Sequence, residues 1–456
     1  MSKHLEKKLS LFDSTAIIIG SMIGSGIFIV SAEIARQVET PGMLLLTWVI
    51  TGIITIFGAL SYGELAAAMP KAGGQYVYIK EAFGKLPGFL YGWTLFSVIQ
   101  TGTIAAVAVA FAKFTGVFYD FISPEKIDSL GISTQQILAV VLIIFLSLYN
   151  FMKVKAGAIL QNVFTISKIL ALILLIVFGF IGINGVGDFS HFSPAFPDKI
   201  TLVTIGVFGA AMTGSLFSAD AWNNITFTAG EVSNPQRNLP LSLFMGTATV
   251  IVLYLLANIA YIYVLPIEQI QSAENDRVAT LMMHTLYGNW GRKFMAAMIM
   301  ISTFGCLNGI ILTAARVYYA MAKDGMFLKP ASKLNKNNVP ANSLTMQCIW
   351  ACVLCFSGTY GELLNYIMFA VMIFYILTIS GLFVLRKKRP EMERPYKAFG
   401  YPVIPAIYII LAALVALNML IYQRGDSLRG LIIILIGIPI YLVFNRKKGK
   451  ESGTNQ

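Results

Sequence analysis

Apolar residues run in long blocks along this chain, and polar residues collect in the short connections between them. The blocks fall near 12–36, 41–68, 87–115, 134–152, 156–183, 202–230, 239–264, 292–322, 342–358, 361–386, 402–422 and 427–445. Stretches such as Ile137–Leu148 and Leu431–Phe444 lie in windows long enough to cross a hydrocarbon core of about 30 Å. The pattern predicts an all-α polytopic membrane protein with about twelve transmembrane helices. The first block contains Gly20, Gly24 and Gly26, lacks a convincing signal-peptide cleavage site, and reads as a retained span.

Two blocks are interrupted. Gly24-Ser25-Gly26-Ile27 breaks the first, and Phe217-Ser218-Ala219-Asp220-Ala221-Trp222 breaks the sixth. A helix that loses its hydrogen-bond ladder in a bilayer exposes bare amides and carbonyls, which is tolerated only where they line a cavity or are held by protein. The breaks occupy matching mid-span places in blocks that run in opposite directions. That arrangement predicts an inverted repeat, spans 1–5 over 12–184 and spans 6–10 over 202–387, with a substrate site between the breaks. Spans 11 and 12, residues 402–446, fall outside the repeat and suit lipid contact or homodimerisation. Residues 447–456 read as a solvated cytoplasmic tail, and the whole chain as one transporter domain.

Composition agrees with the pattern: 57% of residues are hydrophobic and only 12% charged, about half the charged fraction of a soluble protein. The formal net charge of +12 raises the possibility of a nucleic-acid partner, but its distribution argues for topology instead. Lys and Arg concentrate in alternate connections, including Arg386-Lys387-Lys388-Arg389 and Arg446-Lys447-Lys448, which places both termini in the cytoplasm.

At the first break, Gly20-x3-Gly24 also suits close helix packing. Ser25, Gly26 and the amides after them add a half-helix N-terminus, which is electropositive and suits a carboxylate. At the second, Phe217 is a large ring at the interruption, and unwound carbonyls suit an ammonium group. The two poles together fit the backbone of an α-amino acid. Asp220, an acid near the midplane, either binds the ammonium or caps the following half-helix; capping is the preferred reading. Lys168 lies roughly 18 Å deep by helical rise. It carries a proton, replaces a sodium ion, or ties helix-end carbonyls.

Other polar groups are assigned lesser roles. Glu64 and Arg316 order inner gates or loops, and Glu33 and Arg36 are solvated at the outer end of span 1. Gln75–Phe83 reads as a short amphipathic interfacial helix. Asn234–Pro240 reads as a tight turn, since its two prolines exclude continuous helix, and Lys323–Pro340 as a polar inner loop. His4, His191 and His284 make no relay or metal site. Cys348, Cys352 and Cys355 have a spacing that a cluster could use, but with Cys306 they read as core packing. No cofactor or metal is expected. A membrane redox enzyme or a channel would not explain the paired breaks.

Several ordered motifs resemble the amino acid–polyamine–organocation superfamily: Gly20-Ser-Met-Ile-Gly-Ser-Gly-Ile-Phe28, Tyr62-Gly-Glu-Leu65 with Pro70-Lys-Ala-Gly-Gly74, and Glu231-Val-Ser-Asn-Pro-Gln-Arg-Asn-Leu-Pro240. Ser302-Thr-Phe-Gly-Cys-Leu-Asn-Gly309, followed by Arg316, is similar to the L-type amino acid transporter branch, including its prokaryotic serine/threonine and alanine/serine/cysteine exchangers. The resemblance implies the LeuT-type fold and a sodium-independent transporter of small to medium neutral L-amino acids in the cell membrane. Exchange is the first mode it implies and proton-coupled symport the second. It also implies that Ser25, Gly26 and the Ile27 amide bind the substrate carboxylate, and that carbonyls of Met22, Phe217, Ser218 and Asp220 receive the amino group. Phe217 would be the outer gate, Lys168 the replacement for a sodium site, and Tyr254 and Ser302 its hydrogen-bonding neighbours. The sequence departs from the family at Ala219, often aromatic there, and at Ala221, often glycine. Thr115–Gln136 lacks the cysteine that links an ancillary glycoprotein in animal members, so no disulfide-linked subunit is expected.

Overall fold

The computed structural model describes residues 9–125, 127, 131–151, 154–182, 186–337, 339–356 and 360–453; the side chains of 154–162, 360–363, 366 and 445–453 are not described. His4 lies outside these residues.

Among the described residues nine helical segments are long and apolar enough to cross a membrane, and a bent pair adds a tenth. The pair is α1 (Leu11–Met22) and α2 (Gly26–Val38), which meet at 41° across the first break. α3 (Pro41–Ala68) forms span 2, and α5 (Lys85–Thr94) with α6 (Gln100–Thr115) forms span 3 through a π-helical turn at Leu95–Ile99. α7 (Thr134–Tyr149) and α13 (Ala341–Cys355) are shorter apolar helices that complete the twelve expected segments. α8 (Val154–Ile181) is span 5, and α9 (Leu202–Ser218) continues into a 3-10 segment, Trp222–Glu231, as span 6. α10 (Pro235–Val264), α12 (Val278–Lys323) and α14 (Tyr360–Lys388) are spans 7, 8 and 10. α15 (Val403–Tyr422) and α16 (Arg424–Gly453) close the chain.

The broken spans sit at the centre. α2 packs on α9, while α1 packs on α8, α10, α12 and the 3-10 segment. Nearly every residue of α2 and of the 3-10 segment is buried. The periphery is oily: Val141, Phe145, Leu148, Ile166, Leu170, Val252, Ile410, Leu414 and Leu435 are all exposed. So many exposed apolar groups suit lipid, not water.

Three expectations change. Gln75–Phe83 is a helix, α4, but most of it is buried, so it does not lie on the membrane surface. Gln75 instead hydrogen-bonds Thr378 and Asn223, which draws the helix inward. The connection 234–240 is not all turn. The reversal is made by Asn234, at φ 44°, and α10 starts at Pro235 with Pro240 inside it. Pro235 fills the first helical position, where no N–H is needed, and Pro240 lies early in the helix, so it removes one bond near the end. Span 8 keeps its expected place: Val278–Lys323 is two helices that meet at Gly288, φ 62°, and the crossing is the part after that kink. Finally, α16 continues to Gly453, so residues 448–453 are helical and only 454–456 of the expected tail lie outside the described residues.

Candidate functional site

The last carbonyls of a half-helix have no intrahelical partner. At the C-terminal end of α1 each of four successive carbonyls receives a side chain from another span. Lys168 Nζ donates to Gly20 O at 2.6 Å, and Cys306 Sγ to Ser21 O at 3.3 Å. Tyr254 Oη donates to Met22 O at 2.8 Å, and Ser302 Oγ to Ile23 O at 3.4 Å. All four donors are buried. The first break is therefore held open by α8, α10 and α12 together, with Lys168 supplying the contact from α8.

Tyr254 also reaches the second break, donating to Ser218 O at 3.1 Å. Two of the carbonyls assigned to the amino group, those of Met22 and Ser218, thus converge on one hydroxyl. A third, Phe217 O, accepts from the Asp220 N–H at 3.2 Å. The breaks are in direct contact. A Cβ added at Gly26 would fall 2.1 Å from Ser218 Oγ, so only glycine lets the N-terminus of α2 approach α9 this closely. Ser25, buried, is the N-cap of α2 and makes no side-chain cap bond to it. The positive helix end at Gly26 and Ile27 therefore faces the second break without a side-chain cap of its own. Phe217 is buried at the end of α9.

The capping reading for Asp220 is met only in part. The N-cap of the 3-10 segment is Ala221, which gives no side-chain cap. The Asp220 carboxylate accepts from the Ala221 N–H just ahead of that segment and from Tyr375 Oη of α14. Ala221 carries the turn at φ 67°, a left-handed conformation uncommon for a residue with a Cβ.

Asp220 and Tyr375 open onto a cavity lined also by Gln75, Tyr91, Gln100, Asn223 and Asn224. Among the described residues, Tyr91 Oη, Gln100 Nε2 and Asn224 Nδ2 are buried without a hydrogen-bond partner. Buried polar atoms are rarely left so, and their convergence marks a polar pocket beside the second break. Part of this pocket is hinted at locally, since Asn223 and Asn224 follow that break and Gln75 follows Gly73-Gly74; nothing local points to Tyr375 or Tyr91.

Ion pairs tie both mouths. On one side Arg316 pairs with Glu231, Lys80 with Asp324, and Glu64 with Arg386 and Arg394. Glu64 also accepts from the Ala398 N–H at 2.7 Å, so its ordering role is structural and specific. On the other side Asp276 takes Arg36 at 2.7 Å and Lys113 at 3.1 Å. Arg36 is thus exposed but engaged, not merely solvated, and Glu33 is half-buried. Of the cysteines, Cys306 and Cys355 are buried, while Cys348 and Cys352 are partly exposed.

Residues 9–444 match the family model described as amino acid permease. The chain is 32% identical to the b(0,+)-type amino acid transporter 1 of Mus musculus, over 96% of this chain and 88% of that protein. It is 30% identical to the Homo sapiens protein of the same name, with the same coverage. It is 31% identical to the large neutral amino acids transporter small subunit 2 of Mus musculus, over 96% of this chain and 81% of that protein.

Proposed function

Because the chain belongs to the amino acid permease family, we propose that it carries small to medium neutral L-amino acids without sodium, by alternating access, and as an exchanger. It is a multi-pass amino acid transporter and not an enzyme. The observation that carries the finer reading is the meeting of the two breaks. A helix N-terminus at Gly26 and Ile27 and a set of carbonyls at Met22, Phe217 and Ser218 stand at one place, offering opposite poles to one zwitterion. The polar cavity of Gln75, Tyr91, Gln100, Asn223 and Asn224 offers hydrogen bonds to a neutral side chain. Asp220 receives the amino group through its carbonyl.

Lys168 supports sodium independence. Its Nζ sits on Gly20 O at 2.6 Å, where a fixed ammonium supplies the positive charge that a bound cation would bring to helix-end carbonyls. Tyr254 and Ser302 order the neighbouring carbonyls, and Phe217 closes the site on its outer side. Spans 1–5 and 6–10 act as two inverted repeats, both chain ends face the cytoplasm, and the Asp276 cluster faces the opposite side. The relative named as a small subunit implies a partner for that protein; here Thr115–Gln136 offers no cysteine to link one. A homodimer through α15 and α16 is the arrangement we favour.

Labelled amino acid uptake into proteoliposomes tests the reading. Preloading with unlabelled amino acid is expected to accelerate uptake, and replacing sodium by choline to leave it unchanged. Uptake indifferent to internal amino acid favours proton symport, and a sodium-dependent rate contradicts the role of Lys168.

A further inference from the structure

An apolar cavity separate from the broken helices opens where α3, the start of α10 and the connection between α14 and α15 meet. Leu60, Pro240, Leu241, Phe244, Tyr396 and Phe399 line its body, and Arg237 and Lys397 stand on its rim. Phe244 and Phe399 are exposed, at 45% and 66%. Both rim cations are exposed, and among the described residues neither forms an ion pair.

The rim is built, not incidental. The 390s connection is fastened to α3, because Glu64 holds Arg394 and the Ala398 N–H. Tyr396 lies so close to Gly63 that a Cβ there would fall 2.9 Å from its ring. Lys397 is therefore held between two anchored neighbours. Arg237 lies in the first turn of α10, whose N-cap Asn234 supplies no side-chain cap, so the positive end of a 30-residue helix adds to the two cations.

We propose that this cavity binds an anionic glycerophospholipid, with the phosphate between Arg237 and Lys397 and an acyl chain along Leu241, Phe244 and Phe399. Two unpaired cations over an apolar trough at a helix end match an amphiphile with an anionic head. A soluble phosphate would use the rim and gain nothing from the trough. Because Glu64 also pairs with Arg386 of α14, the bound lipid clamps the connection that joins α14 to α15 and steadies the inner end of α3.

The test is lipid retention by the intact protein, measured by native mass spectrometry after incubation with phosphatidylglycerol, phosphatidylcholine or glycerol phosphate. The expected result is selective retention of phosphatidylglycerol, lowered at least fivefold in Arg237→Ala/Lys397→Ala. Leu241→Trp, which fills the trough and keeps the charges, lowers it equally. Exchange in vesicles of phosphatidylethanolamine with phosphatidylglycerol is expected to exceed that with phosphatidylcholine, and this difference disappears in both variants. Equal retention of the two lipids overturns the proposal. So does retention unchanged in the double variant while it still elutes as a folded monodisperse species. Glycerol phosphate bound as well as the lipid shows a headgroup site only and overturns the acyl-chain part.

Discussion

Single residues at the two breaks make contacts that leave little room for change. Gly26→Ala places a Cβ against Ser218, and neither backbone can retreat without reopening the break. Transport is expected to fall by more than tenfold in proteoliposomes, with the purified variant still folded. Tyr254→Phe removes the one hydroxyl shared by Met22 O and Ser218 O. Two buried carbonyls then lose a donor, which costs about 1–3 kcal/mol and lowers both the thermal midpoint in detergent and the substrate affinity. Lys168→Ala is expected to cut transport strongly while leaving some binding. Wild-type rates in that variant would remove the lysine from the mechanism. At Ala221 the left-handed backbone costs about 1–2 kcal/mol for a residue with a Cβ. Ala221→Gly should therefore match or exceed the parent in thermal stability, and Ala221→Val fall below it. Much of this is legible from the sequence: Ser25, Gly26 and Lys168 stand out because polarity or glycine interrupts an apolar run, and Phe217 because it is a large ring at such an interruption. Tyr375 is not, since a tyrosine inside α14 has no local mark, and only the fold brings it to Asp220.

At the scale of elements, the breaks work because unlike segments flank them. α1 ends in carbonyls that four buried side chains satisfy, whereas α9 passes into a 3-10 segment whose backbone is tighter and whose N-cap is Ala221. The apolar pattern located both interruptions but could not distinguish a 3-10 continuation from an α-helix, since burial on all sides erases periodicity. The same limit explains α4. Its composition suits a membrane surface, and its burial follows from partners on α14 and the 3-10 segment that lie far away in sequence. The clasp of Arg36, Lys113 and Asp276 links α2, α6 and the α11–α12 connection (α11, Ile267–Gln271). Burial pushes the Asp276 carboxyl up, but Lys113 and Arg36 outweigh it and hold it below the usual aspartate range. A depressed carboxyl stabilises the closed clasp above its unfolded titration range and loses that effect only as pH falls through the lower, folded value. The clasp is therefore expected to be insensitive to pH between neutrality and mild acid. Asp276→Asn should open the clasp's side of the molecule at neutral pH, seen as faster labelling of a cysteine introduced at Ser31. Labelling as slow as in the parent with that cysteine alone would contradict the clasp.

For the molecule as a whole, the proposed alternating access needs a closure on each side and a site between. Both are present as charge pairs: Arg316 with Glu231 on one side, the Asp276 cluster on the other. Arg316→Gln strands a largely buried carboxylate, and loss of one partner is far costlier than loss of both. Exchange is expected to fall tenfold or more in Arg316→Gln and to recover in part in Glu231→Gln/Arg316→Gln. The twelve-span architecture was readable from hydrophobic blocks alone, because a bilayer forces each crossing to be apolar and helical. Closures were less so, since a charge near a span end reads as solvated until its partner is found. The central claim is that the two breaks recognise the two charged ends of one amino acid. Its most direct test is competition against labelled amino acid uptake in proteoliposomes by three compounds with the same side chain: the intact amino acid, its decarboxylated amine and its deaminated acid. Only the intact zwitterion is expected to compete at concentrations near its own affinity. Equal competition by the amine or by the acid alone would contradict it.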